Sequence, residues 1–230
     1  MSAAGVLECT ATYQVGGPGS TPRAALQSLK VTPIPFGAAK AIMERHHYLH
    51  SLPGGTQLSF GIFLRSRIMG AITIGCGPAQ AHRLVEGAAL KDCGALTRLW
   101  LSDELPSNSE SRVIGVVLRA LRKNTGLKFL ISYADPAQGH LGTIYQATNW
   151  LYIRMSSPMH LYDLGDGVER HSRSFSHAFG SHSMKHFARH GVHVRIVKQS
   201  AKHRYIYFLD KDFRDRLKVA VLPYPERGNL

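Results

Sequence analysis

The densest run of reactive side chains in the sequence is Tyr133-Ala134-Asp135-Pro136-Ala137-Gln138-Gly139-His140, which puts a carboxylate, an amide and an imidazole into one turn. It follows the apolar run LKFLISYA, and in open α/β sheets ligands bind at the carboxyl ends of such strands. There Asp135 can accept a proton or orient an amine, and His140 can serve as general acid or base near neutral pH. A helix N-cap at Asp135 and a solvent-exposed turn at His140 are the architectural alternatives. Tyr145, Gln146, Asn149 and Trp150 follow with two amides and two aromatic faces at helical spacing. The Tyr145 hydroxyl can protonate a thiolate leaving group or hold a base, although a buried tyrosine with a local partner is the commoner arrangement.

A second cluster, His46, His47, Tyr48 and His50, closes a helical stretch just before Pro53-Gly54-Gly55. His46 and His50 are four apart and could share a face, but no carboxylate or cysteine stands nearby to complete a metal site. Acid-base work, base recognition and plain helix-end solvation are the other uses. A third group, Ser107-Asn108-Ser109-Glu110-Ser111, precedes the helical run RVIGVVLRALRKN, where unpaired N–H groups and the macrodipole favour an anion. Simple capping by Ser109 or Asn108 is the plain alternative. Finally, residues 170 to 218 hold 12 Lys and Arg against Asp210, Asp212 and Asp215, and seven of the 13 histidines. Aromatics interleave in Lys202-His203-Arg204-Tyr205-Ile206-Tyr207-Phe208, so one strand presents charge and a stacking face together. His182, His186 and His190 are four apart and could line one helix face.

These groups need elements to hold them. Lys30 to Phe36 reads as an edge strand and Gly37 to Tyr48 as a helix. LSFGIFL and IMGAITI, separated by Arg65-Ser66-Arg67, read as a hairpin, and Leu96 to Leu101 as a third strand. Then come the helix Arg112 to Lys123, with Val113, Val116, Val117, Ala120 and Leu121 on one face, the strand LKFLISYA, and a helix opening near Gly139. Leu151 to Met155 and Tyr205 to Leu209 are further strands, and Ser183 to His190 a short helix ended by Gly191. The fold class is therefore α/β (α+β), a mixed central sheet flanked by helices. Residues 1 to about 28 lack periodicity and read as a flexible leader, and 29 to 230 as a single domain with its basic region at about 170 to 218.

The whole chain has 230 residues, 44% hydrophobic and 19% charged, with a net charge of +13. That excludes a disordered tail or a collagen-like rod and points to a polyanionic partner, nucleic acid first. No window approaches the ~18 apolar residues of a spanning helix and the N-terminus lacks a signal-peptide pattern, so a cytoplasmic protein with no membrane partner is expected. Cys9, Cys76 and Cys93 show no CxxC spacing and read as reduced thiols.

The order of elements resembles the GNAT acyltransferase fold, with Ser107 to Ser111 in place of that superfamily's glycine-rich pyrophosphate signature. More specifically, HHYLHSLPGG, LTRLWLSDELPSNSESRVIG, ISYADPAQGHLGTIYQATNWLY and KHRYIYFL resemble the Mom DNA-modification proteins of Mu-like bacteriophages and prophages. The resemblance implies carbamoylmethylation of the exocyclic amine of adenine in double-stranded DNA, which hides sites from restriction enzymes in the bacterial host. Residues matching the family pattern are His47, Arg98, Ser111, Asp135, His140, Tyr145 and Asn149. On this reading Asp135, His140, Tyr145 and His47 are catalytic, and Ser109, Ser111, Arg112 and Asn149 bind the donor. Arg98, Arg173, Lys185, Arg195, Lys198, Lys202 and Arg204 contact DNA. The donor is an acyl or aminoacyl group on a small molecule or carrier, acetyl-CoA being one form. The resemblance also brings an iron requirement, whose ligands the sequence does not fix. A homodimer is compatible with the sequence, which leaves the oligomeric state open. An acyltransferase acting on a protein or RNA amine and a basic DNA-binding module without chemistry are the competing readings.

Overall fold

The computed structural model describes residues 29–168, 170–171, 180 and 183–226. The chain divides into two compact units, one made of residues up to Ser132 with Gly142–Ile153 and Tyr205–Tyr224, the other of Tyr133–Leu141, Arg154–Arg204 and the residues from Pro225 on.

The first unit is built on a sheet. Strand β1 (Leu29–Pro33) is followed by helix α1 (Phe36–His46), the hairpin β2 (Thr56–Leu64) and β3 (Arg67–Cys76), and β4 (Cys93–Leu101). Then come helix α2 (Ser109–Asn124), β5 (Phe129–Ala134), the single turn α3 (Thr143–Gln146) and β6 (Leu151–Met155). Strand β10 (His203–Phe208) inserts between β5 and β6, giving the order β1-β2-β3-β4-β5-β10-β6. The early strands pair antiparallel and β4 pairs parallel with β5, so the sheet is mixed as expected.

The hairpin turns on two residues rather than three, because Arg67 already pairs with Leu64 and Arg65 takes a φ of 57°. A positive φ in that loop matches the twist of the flanking strands. Helix α2 starts three residues earlier than the apolar pattern suggests. Its buried face is Val113, Ile114, Val117, Leu118 and Leu121, while Val116 and Ala120 are only half-buried. Both patterns share Val113, Val117 and Leu121; the sheet-facing stripe is wide enough to take Ile114 and Leu118 as well. The core also holds Met43, Ile62, Ile72, Phe129, Leu130, Trp150 and Tyr205.

The second unit carries a three-stranded sheet that periodicity did not reveal, in the order β8-β7-β9, made of β7 (Met159–Asp163), β8 (Arg170–His171) and β9 (Arg195–Gln199). Helix α4 (Met184–Arg189) buries Phe187 against Tyr162, Leu164, Val192 and Val194. The turn after β7 is organised by Asp163, whose buried carboxylate accepts N–H bonds from Gly165 and Gly167 and an ion pair from Arg195. Short strands with few apolar residues, set among many charges, give too little alternation to be read from sequence. Among the described residues no helix is long and apolar enough to cross a membrane.

Candidate active site

In the first unit the site is organised by a flaw in the sheet. β3 pairs Ile74 with Leu96 and Thr73 with Arg98, so Thr97 is an extra residue, a β-bulge in β4. Bulges redirect side chains and are common beside active sites. Thr97 is held there by its hydroxyl, which bonds Thr73 Oγ1 at 2.8 Å and donates to the Thr73 carbonyl at 3.2 Å. On the other side of β4, the parallel pairing with β5 ends at Ala95 and Ile131, although β4 runs on to Leu101. Just past the last pair, Ser132 Oγ bonds the Leu96 carbonyl at 3.0 Å and lies 2.8 Å from the Tyr145 hydroxyl. A serine hydroxyl has one proton. When Ser132 gives it to the Tyr145 oxygen, the phenol's own proton is left free to be given away.

Tyr145 is buried among Trp150 and Tyr205, with ring centroids 5.2 Å away in both cases. Burial pushes its phenol up to about 12, against the opposing hydrogen bond from Ser132, so it is protonated at neutral pH. It can therefore give a proton but is a poor base. Gly142, at a φ of 78°, precedes this turn with its Cα against the Tyr205 ring. Asn149 is exposed with a φ of 60°, and the helix expected from Gly139 is reduced to the one turn α3. The αL residues Gly139, Gly142 and Asn149 break the run, which overrides its helical spacing.

Helix α1 delivers the histidines of the first cluster. His46 stacks on Trp100 at 4.2 Å and 12°, and His47, buried, stacks under Tyr48 at 4.4 Å and 26°. The Leu49 N–H donates to His47 Nδ1 at 3.1 Å, so Nδ1 is the acceptor and the proton sits on Nε2 in the neutral ring. His47 is thus set to donate. Arg98 is half-buried; its Nε donates to the Ser51 carbonyl at 3.0 Å and its Nη1 to the Thr97 carbonyl at 2.7 Å. Burial lowers its pKa, with Tyr48 acting in the opposite direction, and among the described residues no carboxylate pairs with it. His50 instead bonds the Glu44 carbonyl, so the i, i+4 pair with His46 is not formed as a ligand pair.

At the start of α2, Ser109 is buried and donates to the Pro106 carbonyl at 2.6 Å, which commits its hydroxyl to the turn. Neither it nor Asn108, at a φ of 70°, caps the helix through its side chain. Ser111 donates to the Asn108 carbonyl at 3.0 Å, and Arg112 is exposed beside it.

In the second unit Asp135 is an N-cap after all: it opens the 3-10 turn Pro136–Gln138 and accepts from the Ala137 N–H at 3.0 Å. It also accepts from Ser200 Oγ at 3.0 Å and pairs with Lys202 Nζ at 3.1 Å. Burial raises its pKa, but the hydrogen bond and charge of Lys202, with Ser200 and Ala137, outweigh it and hold the carboxyl below its ordinary range. His140 is exposed, and its N–H donates to the Asp135 carbonyl. Of the residues expected on DNA, Lys202 is paired with Asp135 and Arg195 with Asp163, at 2.7 Å. Lys185 and Lys198 are exposed, and Arg204 has a buried Nε without an acceptor among the described residues. Arg173 and His182 lie outside the described residues. The His186 and His190 rings do meet, with centroids 4.4 Å apart and planes tilted by 35°. Among the described residues no three His, Cys, Asp or Glu side chains come together as a metal site, so the iron expectation gains no ligand set.

Sequence reasoning missed Ser132 and Ser200. A serine inside the apolar strand FLISYA was the one available signal, since a buried hydroxyl needs a partner.

Residues 28–226 match the family model of the Mom protein family. The chain belongs to the Mom protein family. This Mom-family chain is also 30% identical over 212 residues to the methylcarbamoylase mom of Escherichia phage Mu, covering 87% of this chain and 85% of that one. Among solved structures it is similar to an N-acyl amino acid synthase from uncultured soil microbes, at 12% identity and a TM-score of 0.45, covering 83% of this chain and 95% of that one. It is similar also to an N-acetyltransferase from Staphylococcus aureus, at 7% identity and a TM-score of 0.43, covering 79% and 97%.

Proposed function

We propose that the protein modifies the exocyclic amine of adenine in double-stranded phage DNA, in the cytoplasm of the bacterial host, and so shields that DNA from restriction. The observation that carries this reading is the match to the Mom family over residues 28–226, with the phage Mu methylcarbamoylase as a relative along most of both chains. A methylcarbamoyl group has the same atoms as the carbamoylmethyl group expected from the sequence resemblance. It is joined through its carbonyl carbon, so its transfer to an amine is acyl transfer, the chemistry of an acyl donor.

The adenine amine is a weak nucleophile because its lone pair is delocalised into the ring, and in a duplex the base must first leave the stack, at a cost of a few kcal/mol. In acyl transfer the amine nitrogen attacks the donor carbonyl, a C–N bond forms, the leaving group departs with its electron pair, and the proton lost by the nitrogen passes to solvent, from which the Tyr145 phenol is reprotonated. Tyr145 is suited to give that group a proton, since its phenol is neutral and backed by Ser132. Asp135 is suited to orienting the amine N–H rather than keeping its proton, because Lys202 and Ser200 hold it ionised. The unpaired edge of β4 beyond Ala95 and the uncapped start of α2 are suited to the donor, the first by main-chain hydrogen bonds and the second by attraction for phosphate. Arg98, Lys185, Lys198 and Arg204 supply cations without carboxylate partners among the described residues for the DNA backbone.

The test is nucleoside analysis of DNA from cells expressing the protein. A modified deoxyadenosine, absent from control cells, is expected; fragmentation separates the two isomers, which share one mass. Unmodified deoxyadenosine with acylated protein or RNA would overturn the reading in favour of another amine acceptor.

A further inference from the structure

Tyr48 has no place in the chemistry above, yet it is a large aromatic side chain with 45% of its surface exposed, at the end of the helix that carries His47. One face of its ring is covered by the His47 imidazole, and that imidazole is buried and fixed by the Leu49 N–H. The ring is therefore braced from beneath, so little rotational freedom remains to be lost when something stacks on its outer side. Its neighbours are polar: Tyr48 lies close enough to the Arg98 guanidinium and the Tyr145 phenol to act on both electrostatically. A braced, outward aromatic ring beside a cation is what single-stranded nucleic-acid sites use to receive a base, since every base has a π-face.

We propose that Tyr48 is the platform on which the extruded adenine stacks, with His47 as the brace that holds the ring in place. This rests on the reading of the protein as an adenine-modifying enzyme. An extruded base has lost its stacking on both sides, and one aromatic surface at its destination returns part of that loss. The ring face does this work, so the hydroxyl is dispensable.

The experiment compares Tyr48→Phe with Tyr48→Leu in the full-length protein, with duplex DNA carrying a site the wild type modifies. Tyr48→Phe should modify DNA within about 3-fold of wild type, while Tyr48→Leu should lose about 10-fold or more, the range set by one base-aromatic stack. A purely structural role is separated by a second readout, a duplex with 2-aminopurine in place of the target adenine. Wild type and Tyr48→Phe should quench the extruded base, and Tyr48→Leu should leave it bright at equal DNA occupancy. Wild-type modification or full quenching by Tyr48→Leu would overturn the proposal, as would a Tyr48→Phe variant as impaired as Tyr48→Leu. Wild-type protein that leaves adenine unmodified would instead overturn the function on which it rests.

Discussion

Asp135 and Tyr145 illustrate how environment divides proton chemistry between residues. Both are buried, but the cations and donors around Asp135 keep it charged, whereas the apolar rings around Tyr145 keep it neutral. Tyr145→Phe removes one hydroxyl while Ser132 keeps its bond to Leu96, so the cost in stability should be ~1 kcal/mol. Modified adenine should nevertheless fall by ~100-fold if the phenol donates a proton to the leaving group; calorimetry and nucleoside digestion measure the two separately, and full activity would reduce Tyr145 to packing. Asp135→Asn keeps the cap, because asparagine caps about as well as aspartate. It removes the charge that Lys202 faces and that orients the amine, so the variant should fold and bind duplex DNA yet lose modification by ~100-fold, the scale of a misplaced reactant. Parental modification of cellular DNA by that variant would leave Asp135 as an architectural cap alone. The sequence made the importance of both residues visible through the run from Tyr133 to Trp150. It did not show that Lys202, 67 positions away by their numbers, decides the protonation of Asp135.

At the scale of elements, the turn at Gly142 and the start of α2 make separate demands. A Cβ on Gly142 would stand 2.5 Å from Tyr205 Cε2, at a φ of 78° that L side chains avoid. Gly142→Ala should therefore cost ~2–5 kcal/mol from left-handed strain and overpacking combined. Urea unfolding would register this as a lowered midpoint, and an unchanged midpoint would mean the turn relaxes freely. Ser111→Asp adds a negative charge where the N–H groups of α2 begin, without touching the strands. It should raise the donor concentration needed for half-maximal modification while leaving DNA affinity unaltered, since an anion there competes with an anionic donor. Unaltered donor dependence would move the donor away from this helix. The pattern of apolar residues sufficed to find α2, the β2–β3 hairpin and β5, because their periods of 3.6 and 2 are written in the chain itself. It overextended α3 because three left-handed residues interrupt a run whose side chains look helical.

For the molecule as a whole, a net charge of +13 should make DNA binding steeply dependent on salt. If ~6 phosphates are neutralised, affinity should drop by ~1000-fold between about 50 and 200 mM salt; a titration by fluorescence anisotropy that stays flat would remove the basic residues from the contact. The sequence by itself determined the charge, the α/β class, the residue types able to move protons and, through its motifs, the family. These are properties of composition and of short windows, where neighbours in the chain are neighbours in space. Only the tertiary structure decided that Thr97 bulges out of β4 and that β4 and β5 stop pairing after Ala95 and Ile131. It also decided that Ser132 backs Tyr145, that His47 carries its proton on Nε2, and that two of the expected DNA-binding cations, Lys202 and Arg195, are tied to aspartates. Each of these depends on which strands lie side by side and in what register, and register is set by packing between segments far apart in sequence.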